Sequence, residues 1–369
     1  MAEPDAAPAP DQIDGAPHPR ETIRLYGHGA AEAAFLQAHA TGRLHHGWLI
    51  SGPRGIGKAT LAWKLARFLL ATPPDEGGMF APPAPETLDI PEDHPVARRL
   101  RGGADGRLLV IRRGLDDKGN LRRDITVDVM RKLQGFFGLS APDGGRRVVI
   151  IDAADEMNPN AANALLKALE EPPARAMLLL VAHQPSRLLP TIRSRCRELR
   201  LSPQRGADFD AALAQAGVSD DSAALAQLSG GSVGAAVTLA QGGGAEIYAT
   251  LIALFQDAPR IDRARALKLA ESAAGKANDA RFAMILSLYD LFMARLARAG
   301  ICGPGPEAVP GEAALFARLA PHAGAARAYA ALAQSLGARA RHGRAVNLDP
   351  AALVLDMVLQ TEAEARKFL

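Results

Sequence analysis

Residues 52–59 read GPRGIGKA and differ at one position from the phosphate-binding loop G-x-x-x-x-G-K-[ST], the P-loop. In such a loop, successive backbone N–H groups and the N-terminus of the following helix surround phosphate oxygens. Gly52, Gly55 and Gly57 permit that backbone, and Lys58 adds a point charge near the terminal phosphates. The pattern predicts a nucleotide site with ATP or ADP as the candidate ligand. An empty P-loop shape and an ordinary glycine turn are the alternatives.

The loop lacks the hydroxyl group that normally binds Mg²⁺. Ala59 stands where a Ser or Thr supplies that hydroxyl. Thr60 is adjacent, but one helical step turns a side chain by roughly 100°. Its hydroxyl therefore points away from the metal unless the loop shifts register, and Thr60 is a candidate nucleotide-binding residue on that condition.

A second position that hydrolysis requires is also changed. Asp152 ends an apolar run, as does the Asp that holds the metal in P-loop proteins. Hydrolytic proteins of this class follow that Asp with a Glu that activates water, and here the next residue is Ala153. Glu156 lies past the predicted strand, in a turn where carboxylates more often cap a helix. Ala59 and Ala153 together predict a site that does not hydrolyse nucleotide.

The elements that must position these residues alternate between strands and helices. Continuous apolar runs predict strands at 47–52, 108–111, 146–152 and 177–182. Helical patterns follow at about 21–40, 58–71, 125–140 and 158–171. Continuous rather than alternating apolar strands are typical of a parallel sheet covered on both faces. We therefore predict an α/β domain with a mostly parallel sheet that ends near Pro203.

Composition predicts four regions along the chain. Residues 1–17 are rich in Pro and Ala and read as a disordered tail. Residues 18–203 form the α/β domain, within which 72–105 read as a Pro-rich surface insertion. Strand signals then vanish, and we predict a small helical domain at 204–244 and a larger one at 245–369.

Composition also excludes several classes of protein. No run of 18 apolar residues predicts a membrane span, and no signal peptide begins the chain. Cys196 and Cys302 are too few for a disulfide framework, so we expect two reduced thiols in a cytoplasmic protein. No workable ligand set surrounds His45, His46 or His94, so we expect no metal. A net charge of +3 and a sequence pI near 9.0 permit contact with nucleic acid without arguing for it.

Two later motifs make a family resemblance specific. Leu165–Pro173 reads LLKALEEPP and Ser194–Cys196 reads SRC. Both resemble the clamp-loader branch of AAA+ proteins, which includes the gamma and delta-prime subunits of bacterial DNA polymerase III. Supporting segments are similar to other parts of that family: HHGWLISGPRGIGKATLA (45–62), ITVDVMRKL (125–133) and RAVNLDPAAL (344–353). The resemblance extends from about His18 to the C-terminus.

The resemblance implies an AAA+ P-loop domain, a helical lid and an all-α collar that packs against sister subunits. It implies a hetero-pentameric ring with gamma or tau and delta subunits, which opens a sliding clamp and places it on primed DNA. The Arg of the S-R-C motif acts in trans as an arginine finger on a neighbour's ATP, and here that residue is Arg195. The alternative for Arg195 is a surface or salt-bridging role. Any polymerase activity would belong to the assembly.

Departures from the family pattern favour the non-hydrolysing delta-prime type, a stator, over the gamma type. Besides the two alanines, His183 follows Ala182 where hydrolytic subunits carry a sensing Thr. Gly234 stands where they carry a sensing Arg. The four-Cys zinc module of many clamp-loader subunits is missing, since residues 72–105 contain no Cys, and we predict no zinc.

Two other functions stay open at this point. The chain could be an active gamma- or tau-type ATPase in which Thr60 and Glu156 replace the lost groups. It could also be a module that contacts primed DNA directly, with Arg339, Arg341 and Arg344 as its basic stripe.

Overall fold

The computed structural model describes residues 12–22, 24–72, 85–138, 145–219 and 221–369. Most of the predicted tail, residues 1–11, and residues 73–84 of the predicted insertion lie outside the described residues. Contacts divide the chain into two units. The first unit is Met1–Gly217 with Ser232–Gly234, and the second is Val218–Gly231 with Ala235–Leu369.

The described residues of the first unit form a five-stranded parallel sheet in the order β2-β3-β4-β1-β5. The strands are β1 (Gly47–Ser51), β2 (Leu108–Ile111), β3 (Arg147–Asp152), β4 (Ala176–Ala182) and β5 (Arg197–Arg200). The three central strands are apolar and buried along almost their whole length. Because all strands run the same way, their C-terminal ends share one edge of the sheet.

Helices cover both faces of this sheet and create two cores. Trp48 and Ile50 of β1 point into one core, whereas Leu49 points into the other, as the two-residue period of a strand requires. The helices of this unit are α1 (Gly29–Ala40), α2 (Lys58–Ala71), α3 (Pro95–Arg101), α4 (Val127–Gly138), α5 (Pro159–Glu170), α6 (Pro190–Arg193) and α7 (Gly206–Gln215). The predicted α/β P-loop fold is therefore confirmed.

Two segments of the first unit differ from the sequence prediction. The helix predicted over residues 21–40 begins only at Gly29, because Gly27 has a φ of +77° that a right-handed helix cannot continue. Within the predicted insertion, α3 places Val96 and Leu100 in a core. That part of the segment is thus packed structure and not a surface loop.

The described part of the second unit, together with Val233–Gly234, is helical. Its helices are α8 (Ser222–Ser229), α9 (Val233–Gln241), α10 (Gly244–Gln256), α11 (Arg263–Glu271), α12 (Asp279–Cys302), α13 (Glu312–Leu319), α14 (Ala323–Ala345) and α15 (Pro350–Ala365). Their core contains an aromatic cluster in which Phe255 stacks on Phe292 at 5.1 Å. The helical C-terminal region is confirmed, while the boundary predicted between the lid and the collar stays a prediction.

A buried carboxylate lies at the start of α13. The side chain of Glu312 is 1% exposed. It accepts hydrogen bonds from the Tyr248 hydroxyl at 2.6 Å, from Arg295 Nε and Nη2 at 2.6 and 2.9 Å, and from the Ala308 amide at 2.6 Å. These bonds replace the water that the carboxylate loses on burial, so Glu312 joins α10, α12 and the loop before α13.

In the described residues, no single helix is long and apolar enough to cross a membrane. The pair Ser222–Ser229 and Val233–Gln241 passes that test only when taken together, and it is bent by 116° at the break between the two helices.

Candidate functional site

The P-loop connects the C-terminal end of β1 to the first residue of α2, as the sequence predicts. Gly52, Gly55 and Gly57 have φ values of +142°, +74° and +93°. Residues with a side chain rarely adopt such φ values, whereas glycine does so without strain. A Cβ atom on Gly52 would also lie 2.6 Å from the backbone oxygen of Leu201. The glycines are therefore required by the backbone path of the loop.

Lys58 begins α2 and is almost fully buried. Its ammonium group donates a hydrogen bond to the carbonyl oxygen of Pro53, within the P-loop itself. Burial lowers the pKa of Lys58 to about 8, and the nearby carboxylates of Asp152 and Asp155 oppose that shift. Lys58 is therefore still protonated at neutral pH and keeps the charge that phosphate binding needs.

The buried ammonium group of Lys58 predicts a pH-dependent stability. Its pKa falls from 10.5 to about 8 on folding, so the unfolded chain binds more protons between these values and stability rises with pH there. We expect the free energy of unfolding of the natural chain, relative to Lys58→Met, to rise by about 2 kcal/mol from pH 7 to pH 10. Urea unfolding at both pH values measures this. The same pH dependence in both chains would contradict it.

The C-terminal ends of β3 and β4 bring further groups to the same edge of the sheet. Asp152 ends β3, and the turn after it, Ala154–Glu156, is a 3₁₀ helix. Asp155 accepts hydrogen bonds from the backbone amides of His183 and Gln184, both at 2.9 Å. Asp155 thus ties the turn after β3 to the end of β4, which is a structural role.

Glu156 is held by two arginines. Its carboxylate forms an ion pair with Arg54 of the P-loop and another, at 2.8 Å, with Arg113 just after β2. Two ion pairs with arginines on different segments fix the side chain in place. Glu156 thus connects the turn after β3 to the P-loop and to the segment after β2. Sequence reasoning missed Arg54 and Arg113, because they lie in loops and nothing in their spacing points to Glu156.

His183 lies where the family resemblance expects a sensing Thr. Burial and the nearby cations Lys58 and Arg54 lower the pKa of His183 to about 4. The imidazole is therefore neutral at physiological pH and adds no charge beside Lys58.

Residues 232–234 are bonded directly to the P-loop. The hydroxyl of Ser232 donates to the carbonyl oxygen of Arg54 at 2.9 Å, and the amide of Gly234 donates to the carbonyl oxygen of Gly55 at 2.8 Å. A Cβ atom on Gly234 would lie 2.8 Å from the Cα atom of Gly55 and would also strike Ile13. The backbones approach so closely that position 234 accepts only glycine in this arrangement.

Arg195 lies at the opposite edge of the sheet from the P-loop, where the parallel strands begin. It precedes β5, which runs parallel to β1 with Leu49 opposite Glu198. Arg195, three residues before Glu198, therefore lies near the start of β1. Consistent with this, a Cβ atom on Gly47 would lie 3.2 Å from the Arg195 carbonyl oxygen. The guanidinium group pairs with Glu170 at 3.0 Å and donates to the carbonyl oxygen of Thr191 at 3.1 Å.

The Arg195–Glu170 pair joins the two motifs that carry the family resemblance. Glu170 is the last residue of α5, in the LEEPP motif, and Arg195 is the middle residue of SRC. The Arg195 side chain is 38% exposed, so it remains accessible to another molecule. Burial raises the pKa of the neighbouring Cys196 thiol to about 12, and this cysteine is therefore an unreactive packing residue.

The candidate histidines have structural partners. The rings of His45 and His46 stack at 4.3 Å, and His46 Nε2 lies 3.0 Å from the carbonyl oxygen of Leu169. His94 accepts a hydrogen bond from the amide of Val96 and so caps α3. Among the described residues, no group of three or more His, Cys, Asp and Glu side chains has the geometry of a metal site.

Thr60, the remaining predicted site residue, is half-buried on α2, and its role stays a prediction. The structure therefore brings together the P-loop glycines, Lys58 and Asp152 at one edge of the sheet. It separates them from Arg195, which lies at the other edge.

Comparison with known proteins agrees with these motifs. The sequence profile of the family described as DNA polymerase III, delta subunit, matches residues 27–205. That segment contains all five strands, the P-loop and the SRC motif.

Curated relatives match just under half of the chain. The DNA polymerase III subunit delta' of Pseudomonas aeruginosa is 39% identical over 165 residues, which are 45% of this chain and 45% of that protein. The subunit delta' of Escherichia coli is 32% identical over 176 residues, which are 46% of this chain and 46% of that protein. The subunit tau of Salmonella typhimurium is 33% identical over 169 residues, which are 46% of this chain but 23% of that protein.

The chain thus spans about half the length of the curated delta' relatives that it matches. The family profile covers the elements that build the P-loop and position Arg195. Residues 27–205 of this chain therefore carry the sequence pattern of the family described as DNA polymerase III, delta subunit.

Proposed function

We propose that this chain is a delta-prime-type subunit of a DNA polymerase III clamp loader. In this role it is a stator: it does not hydrolyse ATP, and it offers Arg195 in trans to ATP bound by a neighbouring gamma- or tau-type subunit. The observation that carries the proposal is the position of Arg195. The five residues of β1 lie between the edge that bears Arg195 and the edge that bears the P-loop.

An extended strand of that length spans roughly 15 Å. A guanidinium group must touch the transferring phosphoryl group to stabilise its charge. Arg195 is therefore too far from its own P-loop to act there. Its partial exposure suits contact with a phosphate on another subunit.

The chain's own P-loop supports a site without hydrolysis. Ala59 offers no hydroxyl to Mg²⁺, and Ala153 offers no base. Glu156, the candidate replacement for the base, is bound to Arg54 and Arg113. Freeing it would break two ion pairs, so activating a water molecule would be costly.

The same P-loop keeps groups that fit a nucleotide phosphate. Its three glycines have the positive φ values that the loop requires, and Lys58 is a protonated cation at neutral pH. The Lys58 ammonium group, however, already bonds to Pro53, and residues 232–234 already bond to the loop carbonyls. We propose weak binding of ATP or ADP, with Asp152 beside the phosphates and no zinc.

The proposal includes the partners that this role requires. They are gamma or tau and delta subunits in a hetero-pentameric ring, and the sliding clamp and primed DNA through that ring. Such an assembly would work on chromosomal DNA in the bacterial cytoplasm. The helical second unit would serve as lid and collar.

The isolated chain is expected to bind nucleotide weakly and to release no phosphate from ATP. Calorimetric titration with ADP should give a heat that disappears in Lys58→Ala, because the ammonium charge is lost. Steady-state phosphate release from ATP should equal the background rate. Turnover that disappears in Lys58→Ala would contradict the stator and favour an ATPase.

The variant Glu156→Gln further distinguishes a stator from an ATPase. In a stator it changes stability through its ion pairs and leaves phosphate release at background. In an ATPase that used Glu156 as the base, it would abolish turnover while the heat of nucleotide binding remained.

The second candidate, a gamma- or tau-type ATPase, is favoured by one observation. The P-loop glycines and Lys58 are intact, and 46% of the chain is also 33% identical to a subunit tau. Direct contact with primed DNA has weaker support. Arg339, Arg341 and Arg344 are exposed on α14, but Arg339 pairs with Asp356 at 2.9 Å, which reduces the charge available to phosphates.

A further inference from the structure

A small ribbon between β2 and α4 has no part in the functions described above. Its two sides, around residues 114–122, are joined by an antiparallel bridge between Leu115 and Leu121. These leucines are 45% and 38% exposed. Residues directly opposite each other in an antiparallel pair project on the same face, so the two side chains form one apolar patch in water.

The ribbon is held in shape by its own hydrogen bonds. The amides of Lys118 and Asn120 donate to Asp116 Oδ1 at 2.9 and 2.8 Å, which closes the turn. At the base, the amide of Arg122 donates to the carbonyl oxygen of Gly114 at 2.9 Å. The leucines are therefore presented by an ordered turn, and their exposure is a property of the folded chain.

Cations outnumber carboxylates along the ribbon. Residues 112–124 contain five Arg or Lys and three Asp. One of these acids, Asp116, is turned inward to its own turn, and Asp117 lies at 3.9 Å from Arg122. Lys118 and Arg123 are exposed. The exposed part of the ribbon is therefore apolar at the two leucines and carries more cations than carboxylates.

The position of the ribbon adds a third observation. It follows the C-terminal end of β2 and thus lies at the edge of the sheet that bears the P-loop. Arg113, at its base, shares Glu156 with Arg54 of the P-loop. Arg195 lies at the other edge, so the ribbon offers a contact separate from the one proposed for the arginine finger.

We propose that the ribbon docks Leu115 and Leu121 into an apolar socket rimmed by carboxylates on another clamp-loader subunit. A protein partner fits better than nucleic acid, because phosphates would pair with the cations but leave both leucines in water. Carboxylates on the partner complement the exposed Lys118 and Arg123 and direct the approach. The identity of the partner as a clamp-loader subunit rests on the proposed function.

The test titrates the full chain into a mixture of purified gamma- or tau-type and delta subunits, with affinity read by calorimetry. Leu115→Ser with Leu121→Ser should weaken assembly about 10-fold or more, because the apolar contact is lost. Leu115→Met with Leu121→Met is the matched control. It keeps apolar side chains of similar volume and should assemble like the natural chain.

Lys118→Glu with Arg123→Glu should also weaken assembly, and the loss should shrink as salt is added. Melting temperatures equal to that of the natural chain show that each variant folds. Serine and glutamate variants that assemble normally overturn the ribbon proposal while the proposed function stands.

The other outcomes are equally distinct. A natural chain that does not assemble with these subunits overturns the proposed function and, with it, this partner. Variants that assemble normally but bind primed DNA less tightly within the complex would make the ribbon a nucleic-acid contact, and the protein socket would be wrong.

Discussion

Arg195→Ala is expected to slow ATP hydrolysis at the neighbouring site of the assembled clamp loader by about 10³-fold or more. The guanidinium group would be lost from the transferring phosphoryl group, where charge develops in the transition state. Single-turnover phosphate release by the complex, with clamp and primed DNA present, measures the effect. The variant itself should fold normally, because Arg195 is partly exposed and its pairing with Glu170 lies at the surface.

Two variants make this experiment specific. Arg193→Ala removes the same charge from an exposed position two residues away and should leave hydrolysis nearly unchanged. Arg195→Lys keeps the charge but loses the planar fork of donors, and it should fail almost as completely as alanine. If Arg195→Ala formed a complex that hydrolysed ATP at the natural rate, Arg195 would be a surface residue that merely pairs with Glu170.

Glu312→Ala is expected to lower the free energy of unfolding of the helical unit by about 3 kcal/mol. Removing one partner of a buried ion pair costs about 3–5 kcal/mol, because the other charge is left without compensation. The lower end applies here, since the side chain of Arg295 is 20% exposed and regains some water. Urea unfolding followed by circular dichroism measures the change.

The control for Glu312 is an exposed acid of the same unit. Glu246→Ala, in the first turn of α10, should change the free energy of unfolding by less than about 0.5 kcal/mol. Glu312→Gln should lie between the two, because the amide oxygen still accepts one or more of the four hydrogen bonds. Fluorescence of Trp48 and Trp63 reports on the first unit. A Glu312→Ala chain as stable as Glu246→Ala would show that the buried network contributes little.

Much of the candidate site could be predicted because its residues are neighbours in sequence. The P-loop glycines and Lys58 occur within seven residues of one another, and the loop between a strand and a helix fixes their geometry. The SRC motif is equally local. For such segments, residue spacing and local backbone preference act together.

The contacts that the sequence could not predict join distant segments. Arg54 and Glu156 are 102 residues apart, and their pairing depends on which strands lie side by side in the sheet. The bonds from residues 232–234 to the P-loop also depend on tertiary packing. The sequence did not indicate that Glu312 is buried. A glutamate at the start of a helix is ordinarily solvated, where its negative charge interacts favourably with the helix dipole.

The edge strand β5 was missed for a different reason. Its sequence RELR contains one apolar residue, Leu199, and the other three residues are exposed. An apolar run marks a strand only where both faces of the sheet are covered. An edge strand carries charges that protect its free edge, and so it resembles a loop in sequence.

The packing of Gly234 leaves no room for the sensing arginine that the family resemblance expects at this position in hydrolytic subunits. A side chain at this position meets the Cα atom of Gly55 at 2.8 Å, and backbone cannot swing aside as the tip of a flexible side chain can. An arginine there would require the start of α9 to separate from the P-loop, against the bonds from Ser232 and Gly234. One substitution at this position would therefore destabilise the P-loop before the new guanidinium group could reach a bound nucleotide.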